Sequence, residues 1–231
     1  KVTLLKGVTS SGKTEVYVKL IEACLEQKKQ VLYLLPEIAL TTQLISRLQE
    51  YFGEKIAIYH SKYNVQERVE VWNNVLWAKH KAQIVIGARS AMFLPFSDLG
   101  LLLVDEEHES SFKQFDPAPR YHARDAAIVL GSLHTAKILL GSATPSVETY
   151  HNVRMGKYGY AEITRRYGNV LMPDMELVDI KEAQRKRRMK GHFSERLLEE
   201  MNDALEAGEQ IILFQNRRGY APVLECLTCG H

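Results

Sequence analysis

The chain has 231 residues, room for one large domain or two modest ones, and its 45% hydrophobic and 25% charged content is that of an ordinary soluble globular protein. Thirty basic against 28 acidic residues leave a net charge of only +2, so any contact with a nucleic acid must come from a local patch rather than from overall charge. No run approaches the apolar length of a membrane span and no charged-then-apolar leader is present, which makes an intracellular location the expectation.

Short apolar runs alternate with helical periodicity along the first two thirds of the chain. Val2 to Leu5 reads as a strand, and Lys13 to about Gln27 as a helix with Leu20, Ile21, Cys24 and Leu25 on its apolar side. Three cysteines do not make a disulfide framework, and Cys24 is expected to be a buried small hydrophobe. Val31 to Leu35 is a second strand. After Pro36, the spacing of Leu40, Leu44, Ile45 and Leu48 predicts a helix. Ile56 to Tyr59 is strand-like, and the helix after it is expected to carry Val65, Val69, Trp72 and Leu76 on one face.

Gln83 to Gly87, Gly100 to Val104 and Lys137 to Leu140 read as three more strands, apolar enough to be covered on both faces. The alternation predicts a doubly wound α/β fold, a mostly parallel sheet with helices on both faces. Thr144 and Pro145 read as a cap and a first helical residue, opening a helix toward Met155. From Arg165 to Gly191 the apolar density falls, and Lys181 to Lys190 is a basic run, either a solvated linker or a contact for a phosphate backbone. Ser194 then caps a predicted helix bearing Leu197, Leu198, Met201 and Leu205, and Gln210 to Phe214 is a predicted strand, the start of a second α/β lobe. The expected domains are therefore 1–165, a basic segment 166–193, and 194–231. Both ends look cut, as in a piece of a longer protein.

Gly7 to Thr14 read Gly-Val-Thr-Ser-Ser-Gly-Lys-Thr, the G-x-x-x-x-G-K-[ST] spacing of a phosphate loop, set between a strand and an amphipathic helix. Its glycines allow tight curvature, so that the amides of Gly7, Thr9, Ser10, Ser11, Gly12 and Lys13 can surround phosphate. Lys13 would reach the β- and γ-phosphates of ATP, and the hydroxyl of Thr14 would ligate Mg²⁺. Leu101 to Val104 run into Asp105-Glu106-Glu107-His108, carboxylates at the strand end where parallel sheets take ligands. Asp105 is the expected Mg²⁺ holder and Glu106 the residue that orients or deprotonates the attacking water. His108 is either structural or a link between the nucleotide and a polymer.

Gly141-Ser-Ala-Thr-Pro145, beside these two motifs, resembles the Ser-Ala-Thr motif of superfamily 2 helicases, which implies coupling roles for Ser142 and Thr144. Further segments narrow the resemblance: Ile86 to Pro95, Ser111-Phe-Lys-Gln-Phe115, Arg120-Tyr-His-Ala-Arg-Asp125, Asn216-Arg-Arg-Gly-Tyr220 and Cys226-Leu-Thr-Cys229-Gly-His231. In this order, and over essentially the whole chain, they resemble the primosomal protein N′ (PriA) helicases, bacterial enzymes that restart stalled replication forks.

That resemblance implies a RecA-like P-loop NTPase lobe followed by the start of a second, and a cytoplasmic 3′-to-5′ DNA helicase that uses ATP and Mg²⁺. It implies partners too: single-stranded and forked DNA, single-strand-binding protein and other primosome proteins. Arg89 and Ser90 match a lobe-one nucleic-acid contact. Phe112, Lys113, Arg120, Tyr121 and Arg124 match an aromatic-rich loop, where rings stack on bases and cations follow phosphates. A loop that docks on its own lobe is the competing reading of that stretch. Cys226 and Cys229 imply half of a Zn²⁺ site whose other ligands lie outside these residues, so zinc is expected in a longer parent and not in this chain. The arginine that reaches the γ-phosphate is also outside, so little ATPase and no unwinding are expected of these 231 residues alone. A docking module with little ATP turnover is the alternative function.

Overall fold

A computed structural model describes residues 1–36, 42–60, 63–77, 80–169 and 173–214. The chain divides into two compact units, Lys1–Leu171 and Met172–His231. The first is built on a seven-stranded sheet: β1 (Val2–Gly7), β2 (Gln30–Leu34), β3 (Ile56–Tyr59), β4 (Ile84–Gly87), β5 (Leu99–Asp105), β6 (Lys137–Ser142) and β7 (Gly159–Ile163), in the order β3-β4-β2-β5-β6-β1-β7. Every pairing in it is parallel. Helices α1 (Lys13–Glu26), α2 (Thr42–Phe52), α3 (Val65–Leu76), α4 (Ala123–Leu133) and α5 (Val147–Arg154) connect the strands.

Successive side chains of a strand point to opposite faces, and the apolar runs of the middle strands feed two cores accordingly. Val31, Tyr33, Leu101 and Leu103 pack with Tyr17, Val18 and Ile21 of α1 and Leu48 and Phe52 of α2. Leu32, Leu34, Leu102 and Val104 pack on the other face with Val71 and Val75 of α3 and Ala123 and Ala127 of α4. Cys24 belongs to the first core, and burial pushes its thiol up to about 11, far from the reactive range. The doubly wound α/β architecture read from the alternation is the architecture observed.

The structure adds to or departs from the sequence reading at four places. On α3 the buried positions are Val71 and Val75, whereas Val65, Val69, Trp72 and Leu76 are exposed. Asn64 fixes that helix by a capping box with Glu67, and the sheet selects the face one residue round from the larger side chains. The cap of α5 is Ser146, not Thr144: the Ser146 hydroxyl accepts from the Thr149 amide, leaving Pro145 outside the helix. β7 was not foreseen, because it lies at the sheet edge beside β1 and three of its five residues are exposed. Residues 210–214 are irregular rather than a strand; Ile212 and Phe214 are solvent-exposed.

The second unit holds α6 (Ile180–Arg185), a short antiparallel pair of β8 (Met189–Lys190) with β9 (Phe193–Ser194), and α7 (Glu195–Glu206). Ser194 caps α7 as its sequence indicates, accepting from the Leu197 amide. Arg196 forms a two-pronged pair with Glu176. The basic run 181–190 holds most of α6, a turn and β8, and most of its side chains are exposed. The Asn-Arg-Arg-Gly-Tyr and Cys-x-x-Cys segments, including Cys226 and Cys229, lie outside the described residues.

Candidate active site

The phosphate loop follows β1 directly. Ser10 and Gly12 take positive φ, 62° and 90°, which turns the chain sharply into the N-terminus of α1. The Ser11 amide bonds to the Val8 carbonyl at 3.1 Å, closing the loop. A Cβ at Gly7 would stand 2.6 Å from Ser11 Oγ and 3.0 Å from Lys13 Cγ, so a larger residue there would have to displace the Ser11 hydroxyl. Lys13 Nζ donates to the Gly7 carbonyl at 2.7 Å, so its ammonium is folded over the cradle. Ser11 Oγ is buried without a hydrogen-bond partner, a cost that a bound phosphate oxygen would remove. The donor set fits a polyphosphate.

The loop forms one wall of a cavity of about 760 Å³ lined by Thr9 to Glu15, by Arg47 and Tyr51 of α2, by Asp105 and Glu106, and by Tyr167. The Tyr167 amide bonds to the Ser10 carbonyl, and its ring is almost fully exposed. Asp105 terminates β5. Its Oδ1 accepts from the Tyr17 hydroxyl at 2.8 Å and from the Glu106 amide at 3.1 Å, and its Oδ2 from the Tyr33 hydroxyl at 3.3 Å. Burial raises the Asp105 pKa from its ordinary value, against the Tyr17 bond, the Glu106 amide and the charge of Lys13. Burial, reinforced by the neighbouring Asp105, also raises Glu106. Desolvation and the same carboxylate push the Tyr17 and Tyr33 hydroxyls well above their ordinary value, so both remain donors.

Glu106 has φ 49°, a left-handed conformation uncommon for a residue with a side chain and often found where function fixes the backbone. The consequence is that consecutive carboxylates part company. Glu106 lines the nucleotide cavity, whereas Glu107 is wholly buried. His108 Nδ1 lies 2.8 Å from Ser142 Oγ and 3.7 Å from Glu106 Oε2, while its Nε2 lies 3.4 Å from Thr144 Oγ1. The residues expected to couple, His108, Ser142 and Thr144, are therefore in mutual contact, with Glu106 beside them.

Thr14 and Asp105 line the same cavity, and a magnesium site needs little more from a protein, because phosphate oxygens and water complete the octahedron. Among the described residues, no group of three His, Cys, Asp or Glu side chains forms a self-sufficient metal cluster.

The expected DNA-binding residues separate into two sets. Arg89 Nη1 donates to the carbonyls of Ser111 and Lys113, joining the turn after β4, where Ser90 also lies, to the segment after the acidic box. Lys113 Nζ bonds to the Arg120 carbonyl, Arg120 is exposed, and Tyr121 packs edge-on against Phe93 at 5.1 Å. Arg120 is thus exposed, and Arg89, Ser90, Lys113 and Tyr121 are half-buried. Phe112 and Arg124 are buried. The Phe112 ring is 1% exposed in the core, and Arg124 is 7% exposed and paired with Glu107 and Asp125. Neither is placed to meet a base or a backbone phosphate, and Phe115, 67% exposed, is the free ring of that stretch. Sequence reasoning also gave no role to Tyr17, Tyr33 or Glu107. The only signal for Glu107 was its place third in a carboxylate run that cannot present every side chain to one ligand.

The parallel sheet, phosphate loop and acidic strand end define a RecA-like nucleotide-binding lobe. Residues 1–153 match the DEAD/DEAH box helicase family model, and the chain belongs to that family. Over all 231 residues it is 46% identical to the replication restart protein PriA of Rickettsia felis, of which it covers 35%, and 41% identical to that of Bacillus subtilis, of which it covers 28%. The chain thus spans about a third of the length of these curated relatives. A solved structure of RecG bound to a three-way DNA junction shares the fold, with a TM-score of 0.50 at 20% identity over 76% of this chain and 22% of the other.

Proposed function

We propose that this chain carries the ATP site of a 3′-to-5′ DNA helicase of replication-fork restart. The observation that carries the proposal is the joining in one cavity of the phosphate cradle, with its unpartnered Ser11 hydroxyl, and the Asp105–Glu106 pair. Gly7, Thr9, Ser10, Gly12 and Lys13 bind the phosphates. Thr14 and Asp105 would hold Mg²⁺, which would supply positive charge against the phosphates. Glu106 positions the attacking water and takes its proton. His108, Ser142 and Thr144 relay the state of that site. Arg89, Ser90, Lys113, Arg120, Tyr121 and the exposed Phe115 form the DNA-facing surface. In this reading 1–165 is helicase lobe one, 166–193 the connection, and 194–231 the start of lobe two. Cys226 and Cys229 contribute to zinc sites completed by sequence beyond these residues. Single-strand-binding protein and other primosome components are the partners, in the bacterial cytoplasm.

The test has two parts. Binding of a fluorescent ATP analogue to this chain with Mg²⁺ is expected, and Lys13→Ala should abolish it. In the protein extended to the length of its relatives, Lys13→Ala should abolish unwinding of forked DNA. Undiminished unwinding by that variant would overturn the motor reading. Absence of unwinding in the unsubstituted protein, with DNA and partner binding intact, would favour a docking module instead.

A further inference from the structure

Glu107 is fully buried, yet it carries a carboxylate, and the partners of that carboxylate come from two separate helices, α4 and the start of α5. Oε1 accepts from the Ser146 amide at 2.7 Å. Oε2 accepts from Arg124 Nη1 at 3.0 Å, from the Thr149 hydroxyl at 2.8 Å and from the Ser146 hydroxyl at 3.0 Å. The Arg124 guanidinium also reaches Ser146 Oγ at 2.6 Å and Asp125 at 2.8 Å. Nothing in this cluster is available to a nucleotide, so Glu107 is not a catalytic residue.

Its topology is informative. Glu107 and Arg124 stand at the two ends of the segment Glu109–His122, which carries the exposed Phe115 and Arg120, so their pair clasps that segment at its base. Within the segment, the Gln114 amide bonds to the Tyr121 carbonyl at 2.9 Å, and Lys113 bridges His122, so the clasp closes an ordered hairpin rather than a slack loop. On the other side, Ser146 and Thr149 begin the helix that follows Ser142 and Thr144. The Glu107 amide itself bonds to the Gly141 carbonyl at 3.0 Å. A displacement of the hairpin base must therefore act on the peptide run that holds Glu106 and His108.

A buried ion pair is a poor device for stability alone, because apolar side chains of similar volume commonly stabilise as well or better. Its directional bonds instead hold three elements in one fixed relation. We infer that Glu107 is the positioning residue through which DNA engaged by the Glu109–His122 hairpin is felt at the nucleotide site. The inference rests on the ATP- and DNA-dependent function proposed above.

The test uses the protein extended to the length of its relatives, with ATP turnover measured with and without single-stranded DNA, alongside Mg²⁺-nucleotide affinity and melting temperature. Glu107→Gln keeps the volume but turns an amide NH₂ toward donors. It should leave DNA-free turnover and nucleotide affinity within about twofold and lower the stimulation by saturating DNA about tenfold, within the range usual for coupling between sites. Arg124→Gln should do the same, and the double variant should lose no more than either single one, because both act through one joint. Equal loss of DNA-free and DNA-stimulated rates would mean a structural role only and overturn the inference, as would undiminished stimulation in Glu107→Gln. If Glu107→Gln does not fold, the apolar pair Glu107→Leu with Arg124→Met replaces it: a folded variant lacking stimulation supports the joint, and one retaining it overturns it. A protein without substitutions that DNA does not stimulate would sink the underlying functional reading, and the joint with it.

Discussion

The Tyr17 hydroxyl lies 2.8 Å from Asp105 Oδ1, and a Cβ added to Gly141 would stand 1.8 Å from that same hydroxyl. The phosphate-loop helix, the acidic box and the strand before Ser142 thus meet at one oxygen atom. Tyr17→Phe removes a hydrogen bond to a charged acceptor, an interaction of about 1.5–3 kcal/mol. It should raise the Mg²⁺ concentration needed for half-maximal nucleotide binding about tenfold, as read by titrating Mg²⁺ against a fluorescent nucleotide. Gly141→Ala should do the same and also lower stability, since overpacking costs about 1–3 kcal/mol.

Glu106 supplies a pH prediction. Burial and Asp105 raise its folded pKa above the unfolded value, so the native state binds its proton more tightly and is destabilised once pH rises through the folded pKa. Below the unfolded value both states are protonated and no difference remains. Glu106→Gln should therefore melt higher than the unsubstituted chain at neutral pH, converge with it as pH falls into the carboxylate range and, in the protein extended to the length of its relatives, hydrolyse no ATP. Melting curves across pH check the first two statements and a phosphate-release assay the third.

Ser146 is a helix cap and a partner of a buried carboxylate at once. Ser146→Ala should lower the melting temperature by about 2–8 °C, from a cap worth about 1–2 kcal/mol. Thr144→Ala, which removes no cap, should leave the melting temperature almost unchanged, and calorimetry of the two variants separates them.

The two phenylalanines of the post-box segment should behave oppositely. Phe112→Ala opens the core and should cost about 3–5 kcal/mol of stability. Phe115→Ala should leave stability unchanged and weaken binding of single-stranded DNA about 5- to 100-fold, the effect of losing one base-stacking platform. Fluorescence anisotropy with a labelled oligonucleotide measures the second.

The central sheet was legible because β2, β4, β5 and β6 are covered on both faces, which writes burial into the sequence as continuous apolar runs. The phosphate loop and Asp105 were legible for a different reason: their spacing is dictated by ligand geometry. Where only one side of an element is buried, the sequence is less direct. On α3, Trp72 and Leu76 look like core residues but face outward, because smaller Val71 and Val75 fit the sheet. Tyr17, Tyr33 and Glu107 escaped notice, and Arg124 was given a DNA-binding role it does not have, because their roles depend on partners 88, 72 and 17 residues away, a separation only the folded topology closes.

The order β5-β6-β1 places one strand between the end that supplies Lys13 and the end that supplies Asp105. The strand axes therefore stand two strand spacings, about 9–10 Å, apart, while the side chains that follow them line one cavity and the Lys13 charge acts on both Asp105 and Glu106. A ligand in that cavity meets a cation and amides from one strand end and carboxylates from the other. An anion that carries its own cation satisfies both sets, which a bare anion or a bare cation cannot. The sheet order thus favours one charge pattern before any side chain recognises a base or a sugar.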